Sequence, residues 1–178
     1  MPHAGSCVRA LFVCLAFGCP VAAGAQAPFF GPAPDPRQPS RLAISASADV
    51  PAVVPGRPVT LRLDMTPARG IHVYAPGNRD YIPVSVTLAA SPGVQVRPAV
   101  YPPGTDYVFG ELEEIVKVYS SPFQVRQPVV VSPAAAKAAG ASITITGAVR
   151  YQACDDKVCF PPATAPIEIT LPIRSPRR

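Results

Sequence analysis

Residues 151–162 read Tyr-Gln-Ala-Cys-Asp-Asp-Lys-Val-Cys-Phe-Pro-Pro, and they separate two segments in which polar and apolar residues alternate. Residues 142–150 alternate on the N-terminal side, and residues 167–173 alternate on the C-terminal side. Alternation with a period of two is typical of a β-strand that buries one face. The stretch therefore predicts two strands, with both cysteines where one strand ends and the next begins.

Similar short segments recur along the chain between turn signals rich in proline and glycine. Strands are predicted at residues 42–48, 59–65, 71–75, 84–88, 94–100, 114–119 and 123–131. In the second of these, one face is formed by Val59, Leu61, Leu63 and Met65. Residues 132–141 have helical composition and predict one or two helical turns. Many short strands separated by regular turns predict an all-β fold, an immunoglobulin-like antiparallel β-sandwich, with a closed barrel as the alternative.

The first 27 residues have the layout of a secretory signal peptide. An apolar run at residues 10–17 is too short to span a bilayer, and small residues follow at positions 23–27. Cleavage there removes Cys7, Cys14 and Cys19, and it leaves an even pair in a compartment where disulfides form. Cys19 loosely resembles the acylated cysteine of a lipoprotein signal, but Phe17 fits such a signal poorly. Cleavage at positions 23–27, which removes Cys19, is therefore favoured over acylation of Cys19.

The rest of the chain is long enough for one domain. Residues 28–40 are predicted to be a proline-rich spacer, and residues 41–174 the sandwich domain. The 25 prolines disfavour long helices, whereas 48% hydrophobic and only 15% charged residues argue against disorder. The net charge is +5, but the sequence has no run of basic residues interleaved with aromatic residues, so nucleic-acid binding is not expected. No segment after the leader predicts a membrane span.

The remaining cysteines, Cys154 and Cys159, leave three kinds of site open. A disulfide between them would close a small loop, so it would stabilise the fold by only about 2 kcal/mol. This small contribution shifts the interpretation mildly from a structural disulfide toward a reactive pair. A metal site would need further ligands, and only His72 and Met65 are available, so no metal is expected. Hydrolase and phosphate-binding motifs are absent from the sequence.

The four residues between the cysteines place acidic side chains near Cys154 and a basic side chain near Cys159. Asp155 and Asp156 follow Cys154 and disfavour its thiolate, whereas Lys157 lies closer to Cys159 and favours that thiolate. We therefore expect Cys159 to be the better nucleophile and Cys154 the resolving cysteine.

Residues 151–164 resemble the active-site segment of the N-terminal periplasmic domain of DsbD, the thiol:disulfide interchange protein. That family has Tyr-Gln-x-Cys, a short insert, and then Cys followed by an aromatic residue or leucine and two prolines. Residues 106–111 are similar to the family's cap loop, and residues 70–74 to its aromatic strand. The resemblance covers about residues 40–173 and implies an immunoglobulin-like sandwich.

The resemblance also implies thiol–disulfide exchange by Cys154 and Cys159. In the family, the domain receives electrons from a thioredoxin-like domain and passes them to thioredoxin-fold proteins such as disulfide isomerases and cytochrome c maturation factors. Mixed disulfides form on the second cysteine, which here is Cys159. A cap loop shields the pair and opens on docking, and here it would comprise Asp106, Tyr107, Val108, Phe109 and Gly110.

Three features depart from the family pattern. Four residues separate the cysteines, one fewer than in the best-known member. Val108 falls where the cap phenylalanine is expected, so a neighbouring aromatic residue, Tyr107 or Phe109, is expected to shield the sulfurs. The sequence shows neither a membrane-spanning electron channel nor a thioredoxin-like domain, so we expect a separate, membrane-bound thiol reductase to donate electrons.

The sequence thus predicts a periplasmic thiol–disulfide relay, which if active is an oxidoreductase of the protein-disulfide reductase type. No cofactor is expected. The expected partners are thioredoxin-fold periplasmic proteins and the membrane-bound reductase. The alternative is a non-catalytic secreted sandwich that binds a protein partner and in which the disulfide is structural. The reduction potential of the cysteine pair distinguishes the two.

Overall fold

The computed structural model describes residues 40–78, 80–109 and 114–174. The predicted signal peptide, the spacer up to residue 39 and Gly110 of the predicted cap lie outside the described residues.

Within these ranges the chain forms eleven strands and one helix. In order, the elements are β1 (Leu42–Ala48), β2 (Pro58–Pro67), β3 (His72–Tyr74), β4 (Ser85–Leu88), β5 (Val94–Val96), β6 (Thr105–Phe109), β7 (Glu114–Tyr119), β8 (Phe123–Val131), α1 (Pro133–Ala139), β9 (Ser142–Tyr151), β10 (Ala153–Cys154) and β11 (Ala163–Pro172).

The strands form three antiparallel sheets, with strand orders β1-β2-β8-β5, β11-β9-β4 and β10-β3-β7-β6. The first two sheets pack face to face, because the main apolar cluster joins Leu63 of β2 and Val125 of β8 to Val149 of β9. This arrangement confirms the predicted immunoglobulin-like sandwich. The third sheet was not predicted, because alternation along a strand does not say which strand pairs with which.

The alternation in β2 was predicted correctly. Val59, Leu61 and Leu63 are each 1% exposed, whereas the intervening Arg62 is exposed. Burying each such aliphatic side chain contributes about 1.5–3 kcal/mol. Met65, which the sequence left open as a metal ligand, is 0% exposed within the main apolar cluster and serves as core.

Two predicted elements differ from the structure. The strand expected at residues 94–100 ends at Val96, since Pro98 has no N–H to donate to a neighbouring strand. The expected cap loop comprises residues 106–110. Of these, residues 106–109 lie in β6, which pairs with β7 from Thr105↔Val118 to Phe109↔Glu114. The predicted helical turns are present as α1, where the side chain of Ser132 accepts a hydrogen bond from the Ala135 N–H at 3.1 Å.

The third sheet presents different residues on its two faces. Val73 and Ala153, which oppose each other on β3 and β10, belong to the main core. Because successive side chains on a strand point to opposite faces, His72, Tyr74 and Cys154 share the other face. Val116 and Val118 of β7 pack there with Tyr74 and Cys154 in a separate cluster. Cys154 therefore lies on the face of the third sheet that points away from the main core, together with His72 and Tyr74.

Candidate thiol–disulfide site

Cys154 and Cys159 form a disulfide, with their Cα atoms 4.1 Å apart. Cys154 ends β10 and is 0% exposed, whereas Cys159 is an exposed residue. The two halves of the bond therefore differ in accessibility, and an approaching protein meets Cys159 and not Cys154.

The loop between the cysteines is shaped by Asp155. Its Oδ1 atom accepts hydrogen bonds from the N–H groups of Lys157 and Val158, both at 2.8 Å, and its own N–H donates to the Val158 carbonyl at 3.0 Å. The N–H donors of Val158 and Lys157 lower the pKa of Asp155. An aspartate that bonds to the backbone two and three residues ahead is a common way to close a turn. This turn returns the chain so that Cys159 lies beside Cys154.

The hydroxyl of Tyr74 contacts both sulfur atoms. It lies 3.4 Å from Cys159 Sγ and 3.5 Å from Cys154 Sγ. In the disulfide neither sulfur carries a hydrogen, so the Tyr74 O–H donates. Tyr74 is 0% exposed, and burial raises its pKa, with smaller contributions from Glu114 and Tyr107. Tyr74 therefore keeps its proton at neutral pH and remains a hydrogen-bond donor to sulfur.

Tyr81 and Glu114 hold Tyr74 in place. The rings of Tyr74 and Tyr81 stack with centroids 4.2 Å apart and planes inclined by 23°. The Tyr81 hydroxyl donates to Glu114 Oε2 at 2.6 Å, and this bond is the main cause that raises the pKa of Tyr81 to about 12. Stacking on a hydrogen-bonded neighbour restricts where the Tyr74 hydroxyl can point.

Tyr107 covers the other side of the site. Its ring lies against the His72 ring at a centroid distance of 4.4 Å, and its hydroxyl donates to Asp156 Oδ1 at 2.7 Å. Tyr107 also packs against the cluster that contains Cys154. Tyr107 therefore connects β6 to the loop between the cysteines, with its ring covering His72.

Val108 and Asp106, two other residues of the predicted cap, point away from these contacts. Val108 is 60% exposed and, as the neighbour of Tyr107 on a strand, points to the opposite face. Asp106 is also on that face, where it forms an exposed ion pair with Lys117. Of these three residues, Tyr107 is the one that the structure brings to the cysteines.

The sequence did not assign roles to Tyr74, Tyr81 or Glu114, and it considered His72 only as a metal ligand. The i, i+2 spacing of His72 and Tyr74 does place both on one face of a strand. What the sequence lacks is a signal that β3 pairs with the two-residue strand β10. The part of the chain that the structure describes contains no group of three or more His, Cys, Asp or Glu residues suited to hold a metal ion. No helix in that part is long and apolar enough to cross a membrane.

Two solved structures resemble this chain. The DsbD N-terminal domain of Neisseria meningitidis, in the reduced form, is 16% identical, with 74% of this chain and 90% of that chain covered and a TM-score of 0.45. The N-terminal periplasmic domain of ScsB from Proteus mirabilis is 12% identical, with 75% of this chain and 47% of that chain covered and a TM-score of 0.50. At this identity the likeness to the second structure concerns the fold alone. No curated protein sequence matches the chain.

A family model described as the N-terminal part of the thiol:disulfide interchange protein DsbD matches residues 41–171. The match includes both cysteines, the Tyr74 strand and the β6–β7 hairpin, and it confirms the resemblance seen in the sequence. The chain therefore belongs to the DsbD N-terminal domain family.

Proposed function

We propose that this protein is a periplasmic thiol–disulfide relay, which passes electrons from a membrane-bound thiol reductase to thioredoxin-fold clients through Cys154 and Cys159. The observation that carries the proposal is the asymmetry of the disulfide, since Cys154 is buried and Cys159 is exposed while both contact the Tyr74 hydroxyl. A relay needs one sulfur that a partner can reach and one that resolves the mixed disulfide.

The reaction begins with the reduced pair. The Cys159 thiolate attacks the client disulfide, so that a bond forms between Cys159 Sγ and one client sulfur. The client S–S bond breaks, and the second client sulfur leaves with the electron pair and takes up a proton. Cys154 then attacks Cys159 Sγ, which forms the Cys154–Cys159 bond and releases the client as a dithiol. The reductase restores the reduced pair by the reverse sequence.

Tyr74 has a specific role in this scheme. Its hydroxyl is positioned to donate a hydrogen bond to whichever sulfur carries negative charge. Hydrogen bonds to charged groups are worth about 1.5–3 kcal/mol, so this donor favours the Cys159 thiolate over the thiol. Tyr74 would thus raise the fraction of the reactive form.

The surroundings of Cys159 suit a docking protein. Val158, next to it, is 51% exposed and offers an apolar contact. Tyr107 covers the inner part of the site, and we assign it the shielding role that the family's cap implies. A periplasmic location agrees with the predicted leader and with the periplasmic ScsB domain of the same fold.

The test uses purified proteins. The reduced chain, without its predicted leader, is mixed with an oxidised thioredoxin-fold disulfide isomerase. The wild-type chain should become oxidised as the isomerase is reduced. Cys154→Ala should accumulate a mixed disulfide with the isomerase, and Cys159→Ala should accumulate none. If the wild-type chain leaves the isomerase oxidised and Cys154→Ala forms no mixed disulfide, the relay is excluded for this class of client.

A further inference from the structure

His72 is a buried polar residue without a hydrogen-bond partner for its Nε2 atom. The residue is 3% exposed, and Nε2 has no partner in the part of the chain that the structure describes. Buried polar groups are almost always paired, so an unpaired one calls for an explanation. If His72 served only to fill space, an apolar ring would do so without the free-energy cost of burying an unpaired nitrogen.

The position of His72 suggests what it does. His72 and Cys154 oppose each other directly in the antiparallel pair of β3 and β10. Side chains of opposed residues lie on the same face, with Cβ atoms about 4.5–5.5 Å apart. In the disulfide, Cys154 is 0% exposed and packs with Val116 and Val118, so we expect its thiol to stay shielded from water after reduction. A thiol buried among apolar groups ionises poorly, yet only the thiolate attacks a disulfide.

We propose that His72 is the base that takes the proton of the Cys154 thiol when Cys154 resolves the mixed disulfide. This inference rests on the proposed relay. In the step, the Cys154 S–H proton passes to His72 Nε2, and the resulting thiolate attacks Cys159 Sγ. The Cys154–Cys159 bond forms, the bond from Cys159 to the client breaks, and the client sulfur leaves with the electron pair. The imidazolium then returns its proton to that sulfur or to solvent.

The groups around His72 suit this task. Desolvation by burial lowers the pKa of His72, which keeps the imidazole neutral and able to accept a proton near pH 7. Asp156 and Asp155, from the loop after β10, act in the opposite direction and stabilise the imidazolium once it forms. The other facing groups are the phenols of Tyr107 on β6 and Tyr74 on β3. Tyr74 cannot replace His72 as the base, because its raised pKa keeps it protonated.

The experiment follows both cysteines with the aromatic disulfide reagent dithiobis(nitrobenzoate) in a stopped-flow instrument. Attack by Cys159 on the reagent releases a first equivalent of coloured thiolate, and resolution by Cys154 releases a second. In His72→Phe the second release should slow on the order of 100-fold at neutral pH, which is typical of the loss of a general base. The rate of that second release should then rise steadily with pH into the alkaline range, whereas the first release stays close to the wild-type rate.

Three variants provide controls. Cys154→Ala identifies the first phase, because it can release only one equivalent. Gln127→Met removes the other buried polar side chain of the described residues, which lies on β8 in a different sheet from Cys154, and should leave both phases unchanged. His72→Gln keeps a polar side chain without a base and should reproduce the slow second phase if the phenylalanine variant does not fold.

The outcomes separate this inference from the relay itself. A second phase of wild-type rate and pH profile in both His72 variants, after a normal first phase, overturns the role of His72 and leaves the relay standing. Equal slowing of both phases with a smaller folded fraction shows a structural role only, and it also overturns the inference. If the wild-type protein shows no first phase, the relay fails, and the role of His72 fails with it.

Discussion

At the scale of single residues, Tyr74 links the two sulfurs to the rest of the site. Its hydroxyl contacts both of them, and its ring is held by Tyr81. The Tyr74→Phe variant removes the hydroxyl and keeps the stacked ring. In a Cys154→Ala background, we expect alkylation of Cys159 by iodoacetamide at pH 7 to slow at least tenfold, since losing a bond of about 1.5 kcal/mol, the low end for a charged group, lowers the thiolate fraction by about that factor.

Tyr81→Phe is the matched control, because it keeps the ring stacked on Tyr74 and removes a phenol hydroxyl that bonds to Glu114. Its alkylation rate should stay close to that of the parent. An unchanged rate in Tyr74→Phe would show that the phenol does not stabilise the Cys159 thiolate.

His72 makes a second prediction, which concerns stability. Burial lowers the pKa of His72 in the folded protein below its usual range, so the unfolded chain binds the proton first as the pH falls. The free energy of unfolding should therefore be highest above about pH 6.5 and decrease below it, by at most about 1.4 kcal/mol per pH unit, until the folded state is protonated too. Urea unfolding between about pH 7 and pH 5 measures this slope.

The slope reports on one group, because the other histidine, His3, lies in the predicted leader. His72→Phe should remove the slope between those pH values and should not lower stability at pH 7, since it replaces an unpaired polar group by an apolar ring. The same slope in the variant would show that another group causes it.

The sequence predicted the cysteine pair of the site but not its surroundings. Cys154 and Cys159 stand out as the only cysteine pair after the predicted leader, and the local charges predict different environments for them. The structure adds that burial separates them too. Tyr74 and His72 could not be assigned, because their roles depend on a pairing between residues about 80 positions apart, as in the Cys154–Tyr74 contact.

At the scale of elements, the β6–β7 hairpin contributes one residue, Tyr107, that covers the cysteine loop. Tyr107 connects the hairpin to the cysteine loop through His72 and Asp156. Removing this ring and hydroxyl should weaken the interaction between the hairpin and the cysteine loop by about 1–3 kcal/mol. We predict that Tyr107→Ala makes reduction of the disulfide by dithiothreitol about tenfold faster, as measured by the rate at which free thiols appear.

Val108→Ala is the matched control on the same strand, since Val108 is 60% exposed and faces away. It should reduce at the wild-type rate. Equal acceleration in both variants would mean that the hairpin as a whole shields the pair, and equal rates in all three proteins would mean that it shields nothing.

The elements show where alternation is informative and where it is not. In β2 and β8 one face is buried, so the pattern is visible and the strands were predicted closely. In β6, Thr105 and Asp106 are exposed and Tyr107 only half-buried, so no alternation marks a strand. The two residues of β10 are too few to show any period. β6 supplies Tyr107 and β10 supplies Cys154 to the site, so these two contributions could not be predicted from alternation.

At the scale of the whole molecule, the disulfide contributes little to the fold. The bond joins residues five positions apart, and the main apolar clusters lie between the two sandwich sheets. Loss of so small a loop should cost only about 2 kcal/mol. We predict that the reduced protein keeps the far-ultraviolet circular dichroism spectrum of the oxidised protein and still unfolds cooperatively in urea. Collapse of the fold on reduction would identify the bond as a structural one.

The most direct test of the relay is the reduction potential of the Cys154–Cys159 pair, measured in a dithiothreitol or glutathione series on the chain without its leader. A relay should lie among exchangeable couples, at roughly −180 to −270 mV. A value below about −300 mV would contradict it, because structural disulfides of secreted proteins lie there and do not exchange with the glutathione pool. The protein would then be a sandwich domain stabilised by a local disulfide, with its function in binding rather than electron transfer.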